Sequence, residues 1–172
     1  EQSISSRLPN GKREQISLQG SIYRDAKGRR RQDMRVVGVQ GVDLAFSYIH
    51  DTVANVMYVL DGVNKTGTRE EYFQSKESNT GSDLAVVPEA LNSEISVEHR
   101  EGLECRVYRM KIPGEIEFES WFSVELREVV FEKRVTPSEE KTIRLVNIKR
   151  VEPSSERFVI PQGYEITETK KR

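Results

Sequence analysis

His50 and His99 are the two imidazoles of this 172-residue chain, and Cys105 is its one thiol. His50-Asp51 sets a base beside a carboxylate, the combination that orients an imidazole for nucleophilic catalysis when a serine converges on it. Neighbouring residues of a strand point to opposite faces, so Asp51 cannot orient His50, and a turn role is the stronger reading. Cys105 alternates in phase with Leu103 and Val107, which marks a small buried hydrophobe ahead of a nucleophile. A lone cysteine also excludes an intrachain disulfide and a thiolate-rich zinc site. Glu115, Glu117 and Glu119 recur at every second position beside Trp121, a spacing that could gather a hard cation. There is no calcium-loop pattern, and solvated carboxylates on an exposed strand face are favoured. Arg29-Arg30-Arg31, with Arg24 and Lys27 near, could take an anion, but Arg30 points opposite to its two neighbours, which favours a solvated strand with acidic partners across it.

No HExxH, CxxC, GxSxG, Walker-type or GxGxxG pattern occurs. The residues therefore assign no catalytic group, no metal ligand set and no cofactor, and the expectation is a protein that is not an enzyme. With 27 Lys+Arg against 28 Asp+Glu, no global field exists to hold a polyphosphate, which disfavours a nucleic-acid partner. No stretch approaches the ~18 apolar residues of a transmembrane helix. Only 35% of residues are apolar, but they come in repeated short runs, which argues against disorder throughout.

Those runs alternate with a period of two. Gln15 to Tyr23 reads as a one-sided strand, Asp25 to Gly28 as a turn whose glycine takes positive φ, and Arg29 to Val39 as the return strand. Leu44, Phe46 and Tyr48 begin a second hairpin. Val53 to Leu60 is apolar on both alternating faces and is expected at the centre of the sheet, covered on both sides. Lys65 to Phe73 continues the meander, with a helix as its rival because Thr68 and Glu71 have capping-box spacing. Residues 74–83 read as an exposed loop, and 84–91 as a helical turn or an edge segment. Further strands are marked by Ile95 and Val97; by Leu103, Cys105 and Val107; by Ile116, Phe118 and Phe122; and by Val129, Phe131 and Val135. The last begins at Ile143 and Leu145, where the apolar phase shifts to Val146 and Ile148 and suggests a β-bulge. Pro153 to Phe158 fits one capped turn.

The expected fold is mainly β: about nine to ten strands in a strongly curved antiparallel sheet that forms an open or half β-barrel, with one or two short helical turns. The domain plan is a flexible N-terminal segment at 1–14, one β-rich domain at 15–166 and a frayed tail at 167–172.

Tyr23 through Arg31 (YRDAKGRRR), His50-Asp51 through Asp61, Trp121-Phe122-Ser123 and Phe158 through Tyr164 together resemble a group of uncharacterised exported bacterial proteins. That group carries a YRD-x-x-GR-x-R hairpin, a D-x-V-x-x-x-Y-x-LD strand, a W-[YF]-S strand end and a closing F-x-[IV]-P-x-[GD]-Y. The fit spans residues 15–166; the acidic residue after the basic hairpin is displaced to Asp33, and the loop after Phe73 has no counterpart. The resemblance implies a periplasmic or otherwise exported location. The implied shape is similar to the periplasmic lipoprotein carrier and sorting superfamily, an open β-barrel around a hydrophobic concavity.

On that footing the expected function is non-enzymatic binding of a lipid, acyl chain or hydrophobic peptide in the concave face. Tyr58, Phe118, Trp121 and Phe131 are its candidate lining residues, since aromatic rings supply much of the contact area in such clefts. Trp121 shares a face with charged residues, so a covering loop or helix is the first expectation for it and ligand lining the second. The alternative is a cell-envelope protein-interaction module whose core is filled by its own side chains and whose working surface is an edge strand or exposed patch.

Overall fold

The computed structural model describes residues 2–7, 13–71 and 94–169, with side chains for 15–71 and 95–169. The chain is mainly β, as expected. Eleven strands have six residues or more: β1 (Gln2–Arg7), β2 (Arg13–Arg24), β3 (Arg30–Val37), β4 (Ala45–Asp51), β5 (Val56–Asp61), β6 (Thr66–Glu71), β7 (Glu94–Arg100), β8 (Leu103–Ile112), β9 (Ile116–Ser123), β10 (Glu128–Val135) and β11 (Glu139–Arg144). A four-residue β12 (Glu165–Glu168) follows one 3-10 turn, Ser155–Phe158.

The segment expected as a single domain contains two compact units, one of residues 1–17 and 78–148, the other of residues 18–77 and 149–172. In the first unit the strand order is β1-β11-β10-β9-β8-β7, antiparallel at each pairing. In the second it is β2-β3-β4-β5-β6-β12, with the β12–β6 pairing parallel. Neither sheet closes on itself among the described pairings. Gln2–Arg7, expected as part of a flexible lead-in, pairs with β11. The segment expected to fray is held as far as Thr169, whose amide donates to the Arg69 carbonyl at 2.9 Å. Residues 74–91 lie outside the described residues.

Local chemistry accounts for the hairpins. Asp25, buried in its turn, accepts from the Arg29 amide at 2.9 Å and from Arg29 Nε at 2.7 Å. Gly28 has the expected positive φ of 83°. Asp51 and Asp61 each accept two backbone amides of the following turn, those of Val53 and Ala54 and those of Val63 and Asn64, an arrangement in which a carboxylate replaces a carbonyl. Hydrogen bonding, first from the Asn64 amide, lowers the pKa of the Asp61 carboxyl. At Ser154 a hydroxyl caps the 3-10 turn by accepting from the Glu156 amide. Thr66–Glu71 is a strand, so the helical rival fails.

Two expectations are corrected. Val53 to Leu60 is not one strand covered on both faces: Val53 sits in a turn, 63% exposed, and β5 buries only Val56 and Leu60 while Met57 and Val59 on its other face are half-buried. The bulge lies in β10, between Val129 and Phe131, and not in the last strand. At Leu145 the chain has left β11, its amide donating to the Val130 carbonyl at 2.9 Å, so the shift in apolar phase marks a strand end.

Candidate functional site

In the first unit, register puts Val107, Trp121, Phe131 and Arg144 in one row across β8, β9, β10 and β11. Beside that row lies the core of Leu103, Cys105, Val107 and Val130, with Leu126, Leu145 and Ile148 packed against it. Cys105 is fully buried, and its surroundings raise the thiol pKa through loss of water, which keeps it a neutral hydrophobe. Among the described residues, two arginines lie over Trp121. The Arg109 and Arg100 guanidiniums lie 5.6 and 5.3 Å from its ring centroid, and Arg100 is also 4.3 Å from the Phe131 ring, to which Arg144 adds a contact at 5.7 Å. The result is a ladder of alternating cations and rings running Arg109, Trp121, Arg100, Phe131, Arg144.

Carboxylates lock one end of the ladder. Arg109 donates to Glu98 at 2.5 and 3.2 Å and to Glu119 at 3.0 Å, and Glu119 also accepts the Trp121 indole N–H at 2.8 Å. The Arg109 side-chain bond is the main reason that the Glu98 carboxyl falls from its ordinary 4.5 to about 2. The same bond holds the guanidinium proton more firmly than usual. Glu117 pairs with Lys111 at 3.4 Å, and Glu115 lies in the turn before β9. Next to the other end is a cavity of ≈ 60 Å³ lined by Leu103, Val130, Leu145, Val146 and Ile148 together with Arg100, Glu101 and Arg144. No family model and no curated protein sequence matches this chain.

The candidate lining residues separate. Trp121 and Phe131 are direct cross-strand neighbours. Phe118 pairs with Met110 and Arg134 and shares its parity with Ser120 and Phe122, so it lies on the reverse face of β9 from Trp121. Tyr58 belongs to the second unit, where it pairs with Ile49 and Arg69. The residues that sequence reasoning missed are Arg100, Arg109 and Arg144. Each looks like an ordinary surface charge until strand pairing brings it over a ring; the spacing of Trp121 and Phe131 across a turn was the one available clue.

The second unit contrasts its two faces. On one, Ile49, Val56 and Leu60 are buried together with Phe158 of the 3-10 turn, over which Arg29 stacks at 4.7 Å. Arg31 ties this cover down by donating to the Arg157 carbonyl at 3.1 Å and to Asp33, which also accepts from Ser47. The basic run is therefore part of the fold: Arg29 and Arg31 hold the lid, and Arg30 donates to Gln32 at 3.0 Å. On the opposite face Met34, Phe46, Tyr48, Met57 and Val59 sit in neighbouring register positions, partly open to solvent, with Tyr48 40% exposed and set edge-on to Phe46 at 5.6 Å. His50 shares that face in register with Arg30 and Met57, while the Asp51 carboxylate accepts turn amides.

Proposed function

We propose that this protein is a non-enzymatic, exported interaction module whose working surface is the apolar face formed by Met34, Phe46, Tyr48, Met57 and Val59. The observation that carries this reading is that face: Met34, Phe46, Tyr48, Met57 and Val59 lie in neighbouring register positions on three strands, partly open to solvent and most so at Tyr48, while Ile49, Val56 and Leu60 behind them on β4 and β5 are buried. An apolar sheet face left open in this way suits an apolar surface of another protein. The exported location rests on the resemblance of the basic hairpin, the Trp121-Phe122-Ser123 strand end and the closing Phe158 to Tyr164 segment to exported bacterial proteins.

The carrier reading is the second one, and it needs a strongly curved half-barrel with a cleft of roughly 300 Å³ or more. Against it stand the arginines that lie over Trp121 and Phe131. A photo-crosslinking amino acid placed at Tyr48, and separately at Tyr58 on the buried side, tests both in the native cell. A discrete protein-sized adduct from position 48 alone supports the module. A lipid-sized mass increment at either position supports the carrier, and no adduct at position 48 defeats the proposed surface.

A further inference from the structure

Among the described strands β7 is the terminal one of the first unit's sheet, paired on one side with β8. A terminal strand carries a row of N–H and C=O groups that template a further strand, and such edges are commonly blunted by proline, lysine or a bulge. β7 has none of these: its sequence is EISVEHR, and it pairs with β8 from Glu94 to Arg100 without a register shift. Its alternation is also inverted. Ser96, Glu98 and Arg100 stand across from Val107, Cys105 and Leu103, the buried core of the unit, and are occupied there by Arg109 and by the rings of Trp121 and Phe131. Ile95 and Val97 lie on the other face, 60% and 63% exposed, where a one-sided strand ordinarily puts its polar residues.

A second copy of β7 fits this edge. In an antiparallel pair of identical strands, a two-fold axis perpendicular to the sheet keeps each side chain on its own face, so the pairing must centre on one residue. Val97 is the middle of the seven residues, and centring there pairs all of them: Val97 with itself, Ile95 with His99, Ser96 with Glu98, and the position of Glu94 with that of Arg100. No like charges meet in that register. Moving the centre by one residue, to Ser96 or to Glu98, unpairs two of the seven positions and sets a glutamate against a glutamate, which is destabilising.

We propose that this chain dimerises by antiparallel pairing of β7 with β7 of a second copy, centred on Val97, with Ile95 and Val97 of both copies forming one apolar patch across the seam. The two-fold closes the contact, so association stops at two copies. The surface belongs to the first unit and does not depend on the apolar face of the second.

One strand pair is a small interface, so the Kd should be on the order of 0.1 mM. Sedimentation equilibrium of the full chain, from about tenfold below to about tenfold above that concentration, should show the mass rising from 19.8 kDa toward twice that value and no further. Val97→Lys, which brings two ammonium groups together at the axis, should weaken association about tenfold or more with an unchanged far-UV circular dichroism spectrum, since Val97 is exposed. The same change at Val151, 72% exposed in the second unit, controls for added charge and should leave the Kd unaltered. Register is read with introduced cysteines, the native Cys105 being buried. In Val97→Cys each thiol meets its own counterpart, and diamide should oxidise the two to one intermolecular disulfide. In Ile95→Cys the counterparts lie about 13 Å apart along the seam, too far to bridge, and crosslinking should be at least about tenfold slower. A mass that stays at that of one chain, an equal Kd in folded Val97→Lys, equal weakening by Val151→Lys, or crosslinking no faster at position 97 than at 95 overturns the proposal.

Discussion

Gly20 on β2 has a backbone that any residue can adopt, yet a Cβ built there would lie 1.8 Å from the Asp33 carbonyl oxygen of β3, 2.8 Å from its carbon and 3.0 Å from Met34 Cα. Non-bonded carbon and oxygen approach to about 3.3 Å, so alanine forces the two backbones roughly 1.5 Å apart at this point. Inter-strand N–H···O bonds near 2.9 Å do not survive such a separation, and losing about two of them costs ~1–3 kcal/mol. Local crowding adds ~1–3 kcal/mol, while the stiffer unfolded chain returns ~0.4–1 kcal/mol. The net expectation for Gly20→Ala is a loss of about 2–4 kcal/mol, a large fraction of an ordinary domain's stability. Gly20 is exposed, so the loss reports backbone collision and not a damaged core. Urea denaturation followed by far-UV circular dichroism reads it directly; Trp121 emission does not suffice, because that residue belongs to the other unit. A midpoint equal to or above the parent's, as at an ordinary exposed glycine, refutes the close approach of β2 and β3.

Gly28→Val should cost about 1–2 kcal/mol through Cβ strain at a φ of 83°, measured by the same denaturation, with the nearest side-chain atom, Thr52 Oγ1, 3.5 Å away and no steric clash to add. Amide exchange should be slow at Val56 and Leu60 and fast at Val53 and Ala54, since the strand begins only at Val56; uniform protection across 53–60 contradicts that boundary. The Glu98 carboxyl is depressed in the folded chain from 4.5 to about 2, so its contribution to stability is present above pH 4.5 and is lost as pH falls toward 2. Glu98→Gln should remove that part of the acid sensitivity, and acid titrations of the parent and variant by circular dichroism should diverge in that window.

Alternation made much of the fold legible. Leu103, Cys105 and Val107 announced both a strand and its buried side, and Asp25 with Gly28 announced a hairpin, because these depend on chemistry within a few residues. What escaped was non-local or broke the alternation. One bulge at Val130 inverts the apolar phase of β10, so Val129 and Phe131, expected on one face, pair with Phe122 and Trp121 on opposite faces of β9. Phe118 and Trp121 differ in parity, which sets their side chains on opposite faces of β9 although both are aromatic. Gln2–Arg7 has too few apolar residues to declare a strand; only its pairing with β11 makes it one. The arginines over Trp121 reach their rings from β7 and β8, and a linear pattern holds no record of how far a long side chain leans.

The second unit is assembled from two stretches of chain with most of the first unit's residues translated between them. Arg69 of β6 meets Glu168 of β12 across 99 residues of sequence, and ribosomes add about 5–20 residues each second. For roughly 5–20 s, then, every nascent copy carries β6 as a bare strand edge while residues 78–148 emerge and can pair among themselves. The composition of that edge, Thr66-Gly67-Thr68-Arg69-Glu70-Glu71, is poor in apolar side chains and rich in charge, which discourages pairing with a neighbouring chain during the wait. Birth order thus becomes a constraint on sequence: β6 must be unattractive to strangers for as long as its own partner has yet to be made.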